Sequence, residues 1–159
     1  MPEVVYLSYR ISKDGVTPIP EKIEPILKAP KPENVSQLKS FLGMLNYYHR
    51  HLPNLASILE PMHLLLRKNV KWNWGSKQDT AFKSAKEHLC SANLLVHFDP
   101  HKPIVVSCDA SPYGLGAVLA HVMEDGSEKP VAYASRTLSD AERKYSQIEK
   151  EGYWQLCSR

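Results

Sequence analysis

The sequence predicts an α+β fold in three parts: an N-terminal β-hairpin, a small helical unit, and a three-stranded antiparallel meander followed by a helix. Three observations carry this. Two extended runs rich in β-branched and aromatic residues, Val4 to Ile11 and Val16-Thr-Pro, flank the turn sequence Ser12-Lys-Asp-Gly15. Apolar residues then recur at helical spacing from Val35 to Leu52. Beyond Pro103 the pattern changes to short β-rich runs separated by brief turns. The boundaries fall at residues 1–19, 20–98 and 99–159.

Composition narrows the class. Of the 159 residues, 43% are hydrophobic and 23% charged, as in ordinary globular chains and unlike disordered ones. No apolar run approaches the ~20 residues of a membrane helix, and the N-terminus lacks a signal-peptide pattern. No membrane partner is expected, and the expected location is intracellular, cytoplasmic or nuclear. Three cysteines, Cys90, Cys108 and Cys157, form no CxxC pair and read as reduced thiols. His49-x-His51 has no cysteine or acidic partner at zinc-like spacing. A net charge of +3 permits a nucleic-acid partner without demanding one.

The hairpin alone buries too little to be stable, so the chain is expected to begin inside a larger assembly. A short helix spanning residues 21–27 sits between prolines. The strongest helical signal follows. Asn34 is placed to cap it and Gln37 to cap back. Val35, Leu38, Phe41, Leu42, Leu45 and Leu52 form its apolar stripe, while Lys39, Gly43, Tyr47 and Arg50 collect on the opposite side. Glycine mid-helix costs about 1 kcal/mol relative to alanine. Folding does not ask for it there, so Gly43 reads either as a place where a partner approaches closely or as a glycine that a solvated face tolerates.

A further helix is expected from Pro61 at its first position through Lys68. Trp72 and Trp74 read as packing residues. Another helix is expected to start at Ser76, with Asp79 capping back and Phe82, Ala85 and Leu89 facing inward. Residues 93–103 read as a linker. The meander then comprises a buried strand from Ile104 that ends on Asp109, a second from Leu115 to Val122, and a third from Lys129 to Ser135. Ser139 with Glu142, and Ser146 with Glu149, are two capping patterns in succession. Asp109 reads as a turn aspartate or as a metal ligand on rigid backbone. Glu151 shares a helix side with Ile148, so it faces Asp109 if Ile148 packs on the sheet. The pair otherwise reads as solvated.

Four stretches, in this order, resemble the gypsy-type LTR-retrotransposon Pol polyprotein. They are Tyr6-Leu-Ser-Tyr-Arg-Ile-Ser-Lys-Asp-Gly15, Leu38-Lys-Ser-Phe-Leu-Gly-Met-Leu-Asn-Tyr-Tyr48, Ser107-Cys-Asp-Ala-Ser111 with Gly114-Leu-Gly116, and Tyr145-Ser-Gln-Ile-Glu-Lys-Glu151. The resemblance implies that residues 1–19 end a reverse-transcriptase palm with a primer-grip-like hairpin. Residues 20–98 become a thumb/connection unit, and residues 99–159 the start of a truncated ribonuclease H-like domain. It implies a template–primer or RNA–DNA hybrid duplex as partner, together with other Pol segments. Lys39, Gly43, Tyr47 and Arg50 would face that duplex, with Lys31 as a further cation. It also implies Mg2+ held by Asp109 and Glu151 as the first two catalytic carboxylates of two-metal hydrolysis. Ser8 and Tyr9 stand where the family's grip has Gly-His. The polymerase aspartates and the later ribonuclease H carboxylates have no counterpart in these residues, so the chain is expected to be inactive alone. A non-catalytic nucleic-acid-binding module and an inert retroelement remnant are the alternative readings.

Overall fold

A computed structural model describes residues 3–92, 94–146, 148, 150 and 152. Among them are two three-stranded antiparallel sheets and four α-helices. The α+β expectation holds.

The N-terminal sheet has one strand more than the expected hairpin. The run from Val4 to Ile11 is broken at Leu7 and Ser8, whose φ angles of 45° and 70° make a tight reversal between β1 (Val4–Tyr6) and β2 (Tyr9–Ser12). Two successive left-handed residues match the twist of a two-residue hairpin. Neither is glycine, so the reversal carried no compositional signal. The Asp-Gly turn then leads into β3 (Gly15–Pro18), giving the order β1-β2-β3.

Pro20 opens α1 (Pro20–Leu27), and Ile23 and Ile26 bury its inner face. In α2 (Val35–Tyr47) the Asn34 side chain accepts the Gln37 N–H at 2.9 Å, as a cap should. Gln37 caps back to Glu33 rather than to Asn34, at 2.8 Å. The α-helix stops at Tyr47, and a 3-10 turn, His49–His51, carries the chain to the buried Leu52. α3 (Leu55–Leu64) starts earlier than Pro61 and carries that proline inside. Its first turn is set by Asn54 in a left-handed conformation, φ 51°. α4 (Ser76–Cys90) is capped one residue earlier than expected: the Gln78 side chain accepts the Gly75 N–H at 3.1 Å. Asp79 instead takes the Trp74 indole N–H at 2.6 Å. Leu38, Leu45, Leu52, Met62, Ala85 and Leu89 form the dry centre of this helical unit, and Trp72 and Trp74 pack against it.

The second sheet is the predicted meander, in order β4-β5-β6, with β4 (Ile104–Ala110), β5 (Gly114–Val122) and β6 (Glu128–Thr137). β4 is an outer strand, with Ile104 53% and Val106 44% exposed, so it is not the buried strand its β-branched run suggested. Directly paired residues share a sheet face. Gly116 pairs with both Asp109 and Ser135, and these three share a face with Gly114. The first turn of α3 seats on that face. A Cβ on Gly114 would lie 2.9 Å from Ser57 Oγ, and one on Gly116 would lie 1.9 Å from Asn54 Oδ1. The Ala56 N–H donates to Ser135 Oγ at 3.0 Å, and the Ser57 and Ser111 hydroxyls are 2.8 Å apart. An Arg143–Glu60 ion pair at 3.1 Å, with Glu60 buried, fastens the same joint.

The expected linker is built into the fold. Leu95 is buried and exchanges two backbone hydrogen bonds with Val16, at 2.7 and 3.0 Å, while the Val96 N–H donates to the Pro130 carbonyl. Residues 95–96 therefore tie the first sheet to the second.

Candidate nucleic-acid interface and carboxylate site

On α2, periodicity puts Lys39, Gly43 and Tyr47 on the side away from the core, and Arg50 continues this side from the 3-10 turn. All four are exposed. No atom lies within 4 Å of a Cβ built on Gly43, so packing does not require a glycine there. Lys39 and Arg50 take part in no ion pair among the described residues, whereas Lys31 lies 3.9 Å from Asp79 and has part of its charge matched.

Tyr47 is held from behind. Its hydroxyl donates to the Leu7 carbonyl, and the Tyr9 hydroxyl donates to the Tyr47 carbonyl at 3.0 Å. The Tyr9 ring stacks on Tyr47 and on His51, with centroids 5.6 and 5.1 Å apart, and meets Tyr48 edge-on. Burial first, and the neighbouring phenols Tyr47 and Tyr48 second, push the Tyr9 phenol up to about 12. This cluster joins the β1–β2 reversal to the end of α2. Sequence reasoning saw Tyr9 only as a departure from a pattern, because a residue 38 positions away cannot be paired with Tyr47 by spacing.

Asp109 is exposed near the end of β4. It lines a cavity of about 170 Å³ with Pro53, Asn54, Ser107, Gly116 and Tyr133. The turn before α3 therefore borders the Asp109 side of the sheet. Glu149 and Glu151 lie outside the described residues, and with them the second capping pattern and the second carboxylate. The packing expected of Ile148 is not present. Ile148 is 82% exposed, and the buried residue of that turn is Lys150, whose Nζ donates to the Arg143 carbonyl at 3.3 Å. Two positions along a helix is about 200° of rotation, so burying Lys150 turns Ile148 outward.

A family model described as the RNase H-like domain found in reverse transcriptase matches residues 74–153. The chain belongs to this family. Among its relatives are the Transposon Tf2-3 and Tf2-4 polyproteins of Schizosaccharomyces pombe, each 37% identical over 149 residues, which is 94% of this chain and 11% of the relative. The chain thus spans about a tenth of the length of these relatives. Its fold is similar to the foamy viral protease-reverse transcriptase in complex with dsDNA, with TM-score 0.80 and 26% identity over 98% of this chain and 33% of that one. The same protein in complex with RNA/DNA hybrid gives TM-score 0.80 and 26% identity, over 98% of this chain and 21% of that one. The retrotransposon reverse-transcriptase and ribonuclease H assignment implied by the four motifs is therefore correct.

The RNase H-like family usually uses magnesium. Among the described residues, no group of three His, Cys, Asp or Glu side chains is placed to hold a metal ion. Asp109 alone does not fit a two-magnesium centre, since adjacent ions need several converging anionic oxygens.

Proposed function

We propose that the chain is a duplex-binding segment of a retrotransposon reverse transcriptase, gripping template–primer or RNA–DNA hybrid without sequence preference. Within a longer polyprotein we assign Asp109 and Glu151 as the first two carboxylates this segment would contribute to two-metal hydrolysis of the hybrid. The isolated chain binds and does not cut.

The outer side of α2 carries this reading. It presents Lys39 and Arg50, neither in an ion pair among the described residues, with an open glycine and the braced Tyr47 ring between them. Non-specific duplex binding needs cations for phosphates and a backbone that the duplex can approach. The likeness to reverse transcriptases described as complexes with dsDNA and with RNA/DNA hybrid supports the choice of partner.

The test is fluorescence anisotropy with labelled hybrid and DNA duplexes across a salt series. With Lys39 and Arg50 as the principal phosphate contacts, log affinity should fall against log salt with a slope of about −2. Lys39→Ala should reduce the magnitude of that slope by about one. The same hybrid incubated in magnesium should remain intact. Cleavage that vanishes in Asp109→Asn would overturn the inactivity of the isolated chain, and salt-independent binding would overturn the duplex grip.

A further inference from the structure

A second cavity, of about 320 Å³, opens between β2–β3, the 3-10 turn after α2 and residues 95–98. Tyr9, Val16, Leu95 and Val131 contribute to its lining, together with Arg50, His51, His97 and Phe98. None of the lining residues is a carboxylate. Arg50 belongs both to this cavity and to the outer side of α2, so the two surfaces are continuous.

Phe98 is 58% exposed, and its position is held from behind. Its ring stacks on His121, with centroids 5.6 Å apart and planes 29° apart. His121 is 1% exposed and fixed at both nitrogens. The Asp99 N–H donates to Nε2 at 3.0 Å, so Nε2 carries no proton, and Nδ1 donates to the Pro103 carbonyl at 3.3 Å. His97 in turn donates from Nε2 to the Ser12 carbonyl at 2.7 Å, holding residues 97–98 against the first sheet. The outcome is an aromatic ring backed by a locked imidazole, lining one cavity with Arg50. Exposed aromatic rings with cations for the backbone are the means by which unpaired bases are held without sequence reading.

We propose that this cavity takes one unpaired nucleotide at the end of the bound duplex, its base stacked on Phe98 and its phosphate paired with Arg50. This rests on the duplex-binding reading above and extends it to a strand that leaves the duplex.

The experiment compares a blunt labelled DNA duplex, the same duplex with a short unpaired extension, and the extension alone as a single strand. The extended duplex should bind about five-fold or more tightly than the blunt one. Phe98→Leu should abolish that preference while leaving blunt-duplex affinity unchanged, and Phe98→Trp should retain it. Lys39→Ala should weaken both duplexes equally. Photo-crosslinking from 5-iododeoxyuridine in the extension to wild-type protein should map to Phe98 or its cavity neighbours, which tests the site even if Phe98→Leu folds poorly. Equal binding of the two duplexes, or crosslinks confined elsewhere, overturns the cavity assignment and leaves the duplex grip standing. Failure of both duplexes to bind, with Phe98-dependent capture of the single strand, overturns the grip and leaves the stacking ring.

Discussion

Two glycines show how differently the same residue type is constrained. At Gly15 the backbone φ is 143°, and an added Cβ would lie 2.0 Å from the Leu95 carbonyl oxygen. That oxygen accepts the Val16 N–H, so it cannot withdraw without breaking the bridge between the sheets. Gly15→Ala should therefore cost more than about 2 kcal/mol in denaturant unfolding. At Gly43 an added methyl meets no atom within 4 Å. Gly43→Ala should raise stability by about 0.5–1 kcal/mol through helix propensity alone. If the outer side of α2 meets a duplex closely, the same variant should bind several-fold more weakly. A protein that becomes more stable and binds equally well would mean that this side merely tolerates glycine.

Among the elements, the capping turn after β6 has the best-defined electrostatics. Glu142 accepts two hydrogen bonds from Arg136, at 3.0 and 2.7 Å, and a third from the Ser139 N–H, while its own N–H donates to Ser139 Oγ. The Arg136 guanidinium foremost, then the Ser139 cap, hold its carboxyl at about 2 instead of 4.5. Because the folded value is the lower one, this stabilisation is complete above pH 4.5 and is lost as pH falls toward 2. Glu142→Gln should cost about 1–2 kcal/mol at neutral pH, a figure reduced for solvent screening at this partly exposed site. The difference from wild type should shrink to near zero in acid, as followed by chemical denaturation across that range. The sequence showed the Ser139–Glu142 pattern but not the guanidinium that strengthens it. Arg136 reaches Glu142 because β6 ends where the turn begins.

On the scale of the whole molecule, the two halves are unequal. The helical unit has a broad core drawn from α1 to α4, whereas among the described residues the second sheet has a small buried cluster of Ala110, Leu115 and Leu138, the first two on the face opposite Gly114 and Gly116. Its other face borrows cover from the first turn of α3 through Gly114 and Gly116. The outer strand β4 carries exposed Ile104 and Val106. Amide exchange should accordingly be faster from Ile104 onward, and fastest in β4, than in α2. Slower exchange in the meander than in α2 would contradict this. Uncovered apolar strand edges also favour association.

Local rules were enough to locate most elements, because caps, turns and periodicity act within a few residues. The α2 stripe, the Asn34 cap and the β4-β5-β6 meander follow from such signals, and so does the solvent-facing line of Lys39, Gly43, Tyr47 and Arg50. The order of four motifs was likewise enough for the family. What tertiary structure alone decided are relations across long separations. Tyr9 lies under Tyr47, Leu95 lies against Val16, and Asn54 lies over Gly116 beside Asp109. Spacing placed Ile148 on one side of a helical turn but could not say which side meets the sheet. The structure leaves Ile148 exposed and buries Lys150 instead. The reversal at Leu7–Ser8 escaped for a different reason: leucine and serine seldom adopt left-handed conformations, so their identity does not announce a turn.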